Sequence, residues 1–340
     1  MVNVKNYYNY SRLLGYNGTY NVLIGNRGKG KTFGAKKKAI KDGILKGDQT
    51  ILLRRYKEEL ATAKVTFFDD IRSEFPGYDF RIQGKVGQWS HVIDRGFKER
   101  EWHTIIIFVA LSQSQNYKGS SFPNVKTIIF DEFIIEKGST PYMPDEVKRF
   151  YGFYSTVDRW KDKTRVFFLA NSVSIMNPYF IEWNIVPEEN DEFIIRKKGF
   201  LVCHIANNED FNDEVKLTKF GQFIMDTEFE EYAVENKFAD NSDQMLDDKD
   251  TKARYLFTLE CKTGSFSVWY NFITNYYWIQ SRLPKVEKVY TIISDKMDND
   301  KELLSFSDKP LGNLRTAFRK GNMSFDNQVT RNTFMEVFKR

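Results

Sequence analysis

The segment Gly25-Asn26-Arg27-Gly28-Lys29-Gly30-Lys31-Thr32 fits the spacing G-x-x-x-x-G-K-[ST] in full. Glycines at this spacing let backbone N–H groups curl around a β-phosphate, and the N-terminus of a following helix adds its dipole. Gly25, Asn26, Arg27, Gly28, Lys29 and Gly30 form the cradle. Lys31 is set to reach the β- and γ-phosphates, and Thr32 offers a hydroxyl to Mg²⁺. A second signal lies downstream, where the apolar run Val125–Phe130 ends in Asp131-Glu132. At the carboxyl end of a strand Asp131 anchors the Mg²⁺ shell, and Glu132 polarises a water for attack on the γ-phosphate. A third run, Arg165–Leu169, ends in Ala170-Asn171-Ser172. There Asn171 can hold the attacking water or the γ-phosphate. No N-K-x-D box for guanine occurs: the nearest string, Asn236-Lys237-Phe238-Ala239, lacks the acid, so the nucleotide is ATP.

An arginine supplied by a neighbouring subunit neutralises charge on a transferring phosphoryl group. Arg54, Arg55 and Arg159 all stand as candidates. Lys36-Lys37-Lys38 reads as a solvated helix face.

These residues need a sheet to bring them together. Tyr20–Ile24 reads as an apolar strand, Phe33–Leu45 as a helix and Thr50–Arg54 as a second strand. Trp102–Leu111, Val125–Phe130 and Arg165–Leu169 follow as strands, and Phe193–Arg196 closes the set. Strands separated by helices imply an α/β, mostly parallel sheet. Gln83–His103, with Gly84, Gly87 and Gly96 among Lys85, Arg95, Lys98 and Arg100, reads as a basic hairpin inserted in it.

The composition sets limits on other functions. The chain has 340 residues, enough for two domains, with 41% hydrophobic and 29% charged residues, as in an ordinary globular protein. Ile105–Leu111 is its longest nearly pure apolar run, too short to span a bilayer, and Met1–Tyr10 lacks the apolar core of a signal peptide. Two cysteines, Cys203 and Cys261, and three histidines, His91, His103 and His204, provide neither a disulfide framework nor zinc-ligand spacing. A net charge of +5 leans weakly toward a polyanionic partner. The aromatic share of 16% is assigned chiefly to core packing.

The character changes after residue 206. Residues 207–244 read as a linker region, and Asp240–Asp250 is rich in aspartate and poor in apolar residues. Residues 245–340 read as a smaller α+β domain: strands Tyr255–Leu259, Phe266–Tyr270, Tyr276–Ile279 and Val289–Ile293, then helices near Leu311–Lys320 and Asn327–Lys339.

An arginine inside the phosphate loop is typical of viral DNA-packaging motors. The chain resembles the genome-packaging ATPases of small podoviruses that use a packaging RNA on the prohead. The resemblance rests on Leu53-Arg54-Arg55-Tyr56-Lys57 with Glu59-Leu60, Tyr117-Lys118, Phe122-Pro123-Asn124-Val125 and Phe130-Asp131-Glu132-Phe133-Ile134. It continues through Asn171-Ser172-Val173-Ser174, Asn177-Pro178-Tyr179-Phe180 and Phe325-Asp326-Asn327-Gln328-Val329. It implies a P-loop NTPase of the additional-strand catalytic-glutamate (ASCE) class over residues 1–206. It also implies a homomeric ring, a pentamer, docked on the portal of an empty procapsid in the host cytoplasm and driving double-stranded DNA inward. By position in the matching stretches, Arg159 corresponds to the trans-acting arginine finger, and Lys57 and Lys118 to lysines acting across the interface. Arg27 would contact phosphate or the neighbouring subunit. The C-terminal domain would be a degenerate RNase H-like nuclease turned docking module.

The residues support that last point on their own. A two-metal nuclease needs converging carboxylates. Tyr255–Leu259 ends in Glu260 alone, and Phe266–Tyr270 and Tyr276–Ile279 carry no acid, leaving only loop acids such as Asp295 and Asp298. Two rival functions are a motor that also cleaves DNA and a non-hydrolysing nucleotide-binding scaffold. The missing acid cluster argues against the first and Glu132 against the second. Candidates for the DNA pore are Lys85–Arg100 and Ser112–Ser121. Arg159 is expected at a helix C-terminal end, before the chain re-enters the sheet and far from its own γ-phosphate.

Overall fold

The computed structural model describes residues 7–92, 100–135, 142–172, 177–185, 187, 191–206, 209–225, 227, 230, 249–285 and 288–338. The chain divides into two compact units, Met1–Ser174 with Pro187–Ala239, and Ile175–Val186 with Asp240–Arg340. No helix among the described residues is long and apolar enough to cross a membrane.

The first unit is built on a nine-stranded sheet. Its strands are β1 (Tyr20–Gly25), β2 (Gln49–Arg54), β3 (Tyr78–Gln83), β4 (Val86–His91), β5 (His103–Ala110), β6 (Val125–Asp131), β7 (Arg165–Ala170), β8 (Phe193–Arg196) and β9 (Leu201–Ala206), in the order β3-β4-β5-β2-β6-β7-β1-β9-β8. The six central strands run parallel and are continuous apolar runs, as strands covered on both faces require. One strand, β7, lies between β1 and β6. Its register pairs Asp131 with Leu169 and Ile24 with Ala170, so Gly25, Asp131 and Asn171 emerge together at one sheet edge. Helix α1 (Ser11–Gly15) precedes β1, and α2 (Lys31–Lys46) follows the glycine loop. Gly43 lies against Ile105 so closely that a Cβ there would stand 2.3 Å from Cγ1, which fixes the helix near the sheet. Helix α3 (Lys57–Val65) follows β2, and α4 (Glu146–Asp158) connects β6 to β7.

Three expectations change. The hairpin starts at Tyr78, not Gln83, and turns at Gly84-Lys85; residues 93–99 lie outside the described set. Phe193–Arg196 is an antiparallel edge strand, and β9, unread in the sequence, separates it from β1. Residues expected as linker carry two short helices, α6 (Glu209–Lys216) and α7 (Lys219–Phe223), while Asp240–Asp248 lies outside the described set.

The second unit includes α5 (Pro178–Trp183) and a six-stranded sheet. Its strands are β10 (Arg254–Glu260), β11 (Ser265–Asn271), β12 (Tyr276–Gln280), β13 (Val289–Thr291), β14 (Lys301–Leu303) and β15 (Met323–Phe325), ordered β14-β13-β10-β11-β12-β15. Helices α8 (Lys309–Arg319) and α9 (Gln328–Phe334) contribute Leu311, Leu314, Phe318 and Phe334 to a core with Leu259, Phe266 and Ile279. The expected final helix breaks into α9 and a 3₁₀ turn at Met335–Phe338.

Candidate active site

A cleft of about 490 Å³ opens at the sheet edge where β1, β6 and β7 end. Arg27, Gly28, Lys29, Gly30, Lys31 and Thr32 line it, with Asp131, Glu132 and Asn171. Gly28 and Gly30 have φ of 81° and 74°, the left-handed backbone that glycine adopts without strain. Gly25 and Asn26 lie at the loop's root; Asn26 is buried and its amide donates to Asn212 Oδ1 at 2.6 Å.

The Lys31 ammonium donates to Gly25 O (2.8 Å), Asn26 O (2.7 Å) and Asn171 Oδ1 (3.0 Å). Burial pushes its pKa down to about 7, and burial alone pushes Lys29, which donates to Ala206 O, down to about 8. Both ammoniums are therefore poised to gain from a phosphate anion. Thr32 Oγ1 donates to Asp131 Oδ1 at 2.9 Å. This hydroxyl–carboxylate pair, facing the cleft, is the oxygen donor set that suits Mg²⁺.

Glu132 projects from the end of β6 with φ of 55° and an exposed carboxylate. Left-handed backbone at a non-glycine residue is strained and must be held by its surroundings. Arg55 does this from the end of β2. Its guanidinium donates to Glu132 O (3.3 Å) and Phe133 O (2.6 Å) and pairs with Glu146 at 2.9 Å, both side chains being buried. Phe133 N also donates to Leu169 O.

Sequence reading left Arg54 among arginines that could act on a neighbour. The structure sets it beside the acids of its own cleft: Nη1 lies 2.6 Å from Glu132 Oε2 and Nη2 3.6 Å from Asp131 Oδ2. Burial opposes its charge, but the two carboxylates outweigh burial and hold its pKa above the ordinary value. Other features were also missed. Tyr7 lies across Gly30 and lines the cleft, and Tyr10 OH donates to Lys31 O at 2.6 Å. Asp70, Ser73 and Glu74 form the far wall, where Lys36 and Lys37 of the expected solvated face pair with Asp70 and Glu74. No spacing rule marks them, because they reach the loop by tertiary packing from segments outside the sheet.

Three expected residues stay outside the cleft. Lys57 opens α3 and Lys118 follows the 3₁₀ turn Leu111–Tyr117, both exposed. Arg159 caps the C-terminus of α4, at the opposite sheet edge, and donates to Ser120 O at 2.9 Å. Arg165 starts β7 and bonds Asn17. His204 bonds the Tyr8 hydroxyl at 2.7 Å, and burial lowers its pKa to about 4.

Residues 2–340 match the family described as Podovirus DNA encapsidation protein (Gp16). The chain belongs to this family. It is 34% identical over 331 residues, 96% of its length and 99% of the relative's, to the DNA packaging protein of Bacillus phage B103. It matches a chain of the bacteriophage Phi-29 viral genome packaging motor assembly with a TM-score of 0.62 at 31% identity, covering 98% of this chain and 99% of that one. It matches the crystal structure of the N-terminal domain of the bacteriophage phi29 DNA packaging ATPase with a TM-score of 0.53 at 34% identity, covering 60% of this chain and 98% of that one.

Proposed function

We propose that this encapsidation protein is an ATP-hydrolysing subunit of a homomeric ring, a pentamer, that drives double-stranded DNA through the portal into an empty procapsid. The carrying observation is the bond between Thr32 and Asp131 at the floor of a glycine-loop cleft, with Glu132 one residue on. With ATP bound, Lys31 and the loop amides would hold the β- and γ-phosphates, and Thr32 and Asp131 would hold the Mg²⁺. The metal would neutralise charge on the phosphoryl oxygens. Asn171 orients the attacking water and Glu132 accepts its proton once Arg54 releases the carboxylate. The single strand between β1 and β6 supports the additional-strand catalytic-glutamate class.

Arg159 supports the ring. It lies about 20 Å from its own cleft, the length of a six-residue strand, so it serves the neighbour's γ-phosphate. Lys57 and Lys118, both exposed, would act across the same interface, and Arg27 at the cleft mouth would meet phosphate or the neighbour.

The second unit is read as a degenerate RNase H-like docking module for portal or packaging RNA. Its first five strands run 3-2-1-4-5 across the sheet in support of that ancestry. Glu260, at the end of the first, is paired with Lys296 at 3.1 Å and Lys301 at 3.2 Å. A carboxylate already neutralised by two ammonium groups is poorly suited to hold a catalytic metal, which argues against the cleaving alternative.

Mixing two inactive variants tests the proposal. Arg159→Ala keeps a whole cleft but lacks the finger; Lys31→Ala keeps the finger but lacks a working cleft. ATPase activity is expected to return in mixed rings. If rings mix and no activity returns at any ratio, the trans role of Arg159 is wrong.

A further inference from the structure

The chain between α4 and β7 is more heavily built than a surface turn needs. Arg159, Trp160 and Asp162 have φ of 54°, 57° and 50°, so three non-glycine residues out of four adopt left-handed backbone. The strain is held from inside. Buried Asp158 accepts backbone N–H groups from Lys161 (3.0 Å), Asp162 (3.0 Å), Lys163 (2.9 Å) and Thr164 (3.0 Å). Tyr154 OH donates to Thr164 O, and Lys163 Nζ to Phe122 O at 2.7 Å. This rigid knuckle displays Trp160, at 89% the most exposed large apolar side chain among the described residues. A pre-ordered, amphipathic ring next to an arginine is the make-up of an interface anchor.

We propose that the knuckle seats Trp160 on the rim of the nucleotide cleft of a second copy of this chain. The inference deepens the trans reading of Arg159 and rests on it. If Arg159 meets the neighbour's γ-phosphate, Trp160, one Cα step of about 3.8 Å away, must land beside the same cleft. Charge fits that partner. Lys126, Arg159, Lys161 and Lys163 crowd the knuckle; burial and its three basic neighbours hold the Lys163 ammonium below its ordinary value. In the cleft, Asp70 and Glu74 are paired with Lys36 and Lys37, and Asp131 and Glu132 with Arg54, so the negative charge that the knuckle would meet there is that of a bound triphosphate. The knuckle and the cleft lie at opposite edges of one sheet, so the contact is head-to-tail, the kind that closes into a ring.

Cysteine pairing in the full-length chain tests this, because native Cys203 and Cys261 are buried and silent. Trp160→Cys combined with Ser73→Cys on the cleft's far wall is expected to give a covalent ladder of oligomers when treated with a bismaleimide in the presence of ATP. Each single variant should give none. Trp160→Ala should raise the protein concentration for half-assembly about 30-fold, the size of an aromatic hot spot, without moving the melting temperature, and Trp160→Phe should recover most of it. Rings that form without a ladder, or a Trp160→Ala chain that assembles like the parent, overturn the inference. If Arg159→Ala abolishes hydrolysis while Trp160→Ala changes nothing, the trans finger stands and only the anchor falls. If the parent chain forms no ring, both fall.

Discussion

The guanidinium of Arg54 lies 2.6 Å from the carboxylate of Glu132, the residue proposed to activate water. In the proposed reaction this carboxylate must leave Arg54 before it can meet the attacking water. Arg54→Ala is expected to bind ATP and to lose its response to DNA, the ratio of DNA-stimulated to basal phosphate release falling toward one. A variant whose ratio stays at the parent value would show that the pair does not restrain Glu132.

The neighbouring arginine has a different task. Arg55 and Glu146 are buried against each other, and removing one partner strands a charge. Glu146→Gln should therefore destabilise the first unit by about 3–5 kcal/mol. Urea unfolding followed through that unit checks the figure; a loss below ~1 kcal/mol would place the pair outside the buried class.

Lys31 gives the site a pH dependence. Burial lowers its pKa to about 7, below the unfolded value. Between those two values the unfolded chain binds more protons, so this group's contribution to stability rises with pH through that window. A triphosphate restores the ammonium. ATP binding near pH ~8 should then take up a proton, and affinity should weaken as pH rises further. Calorimetry in two buffers of different ionisation enthalpy reads this directly; a heat independent of buffer contradicts it.

Glu260 carries the prediction for the second unit. With Lys296 and Lys301 on its carboxylate, the full-length chain should leave plasmid DNA intact in Mg²⁺ or Mn²⁺. Metal-dependent nicking that survives in Lys31→Ala and disappears in Glu260→Ala would overturn the degenerate reading.

The chemistry was more legible in the sequence than its surroundings. The glycine loop and Asp131-Glu132 are local patterns, each fixed by a strand that ends where its motif begins, so spacing alone identified them. Position along a crossover likewise put Arg159 at a helix end. Arg54 stayed undecided because its partner is set by β2 lying beside β6, a sheet order absent from the chain order. Strand β9 escaped because Leu201–Ala206 holds Cys203 and His204 and follows an antiparallel edge strand rather than a helix. The Tyr7 and Tyr10 contacts with the loop rest on tertiary packing across a long separation, as does Arg55 with Glu146.

Phosphate release by the full-length chain, with and without double-stranded DNA, tests the central claim most directly when the parent is compared with Glu132→Gln. The parent should hydrolyse ATP and be stimulated by DNA. Glu132→Gln should still bind ATP, with turnover lowered by about 10²–10⁴, the span of a lost general base. A parent that releases no phosphate, or a Glu132→Gln chain that turns over like the parent, would contradict it.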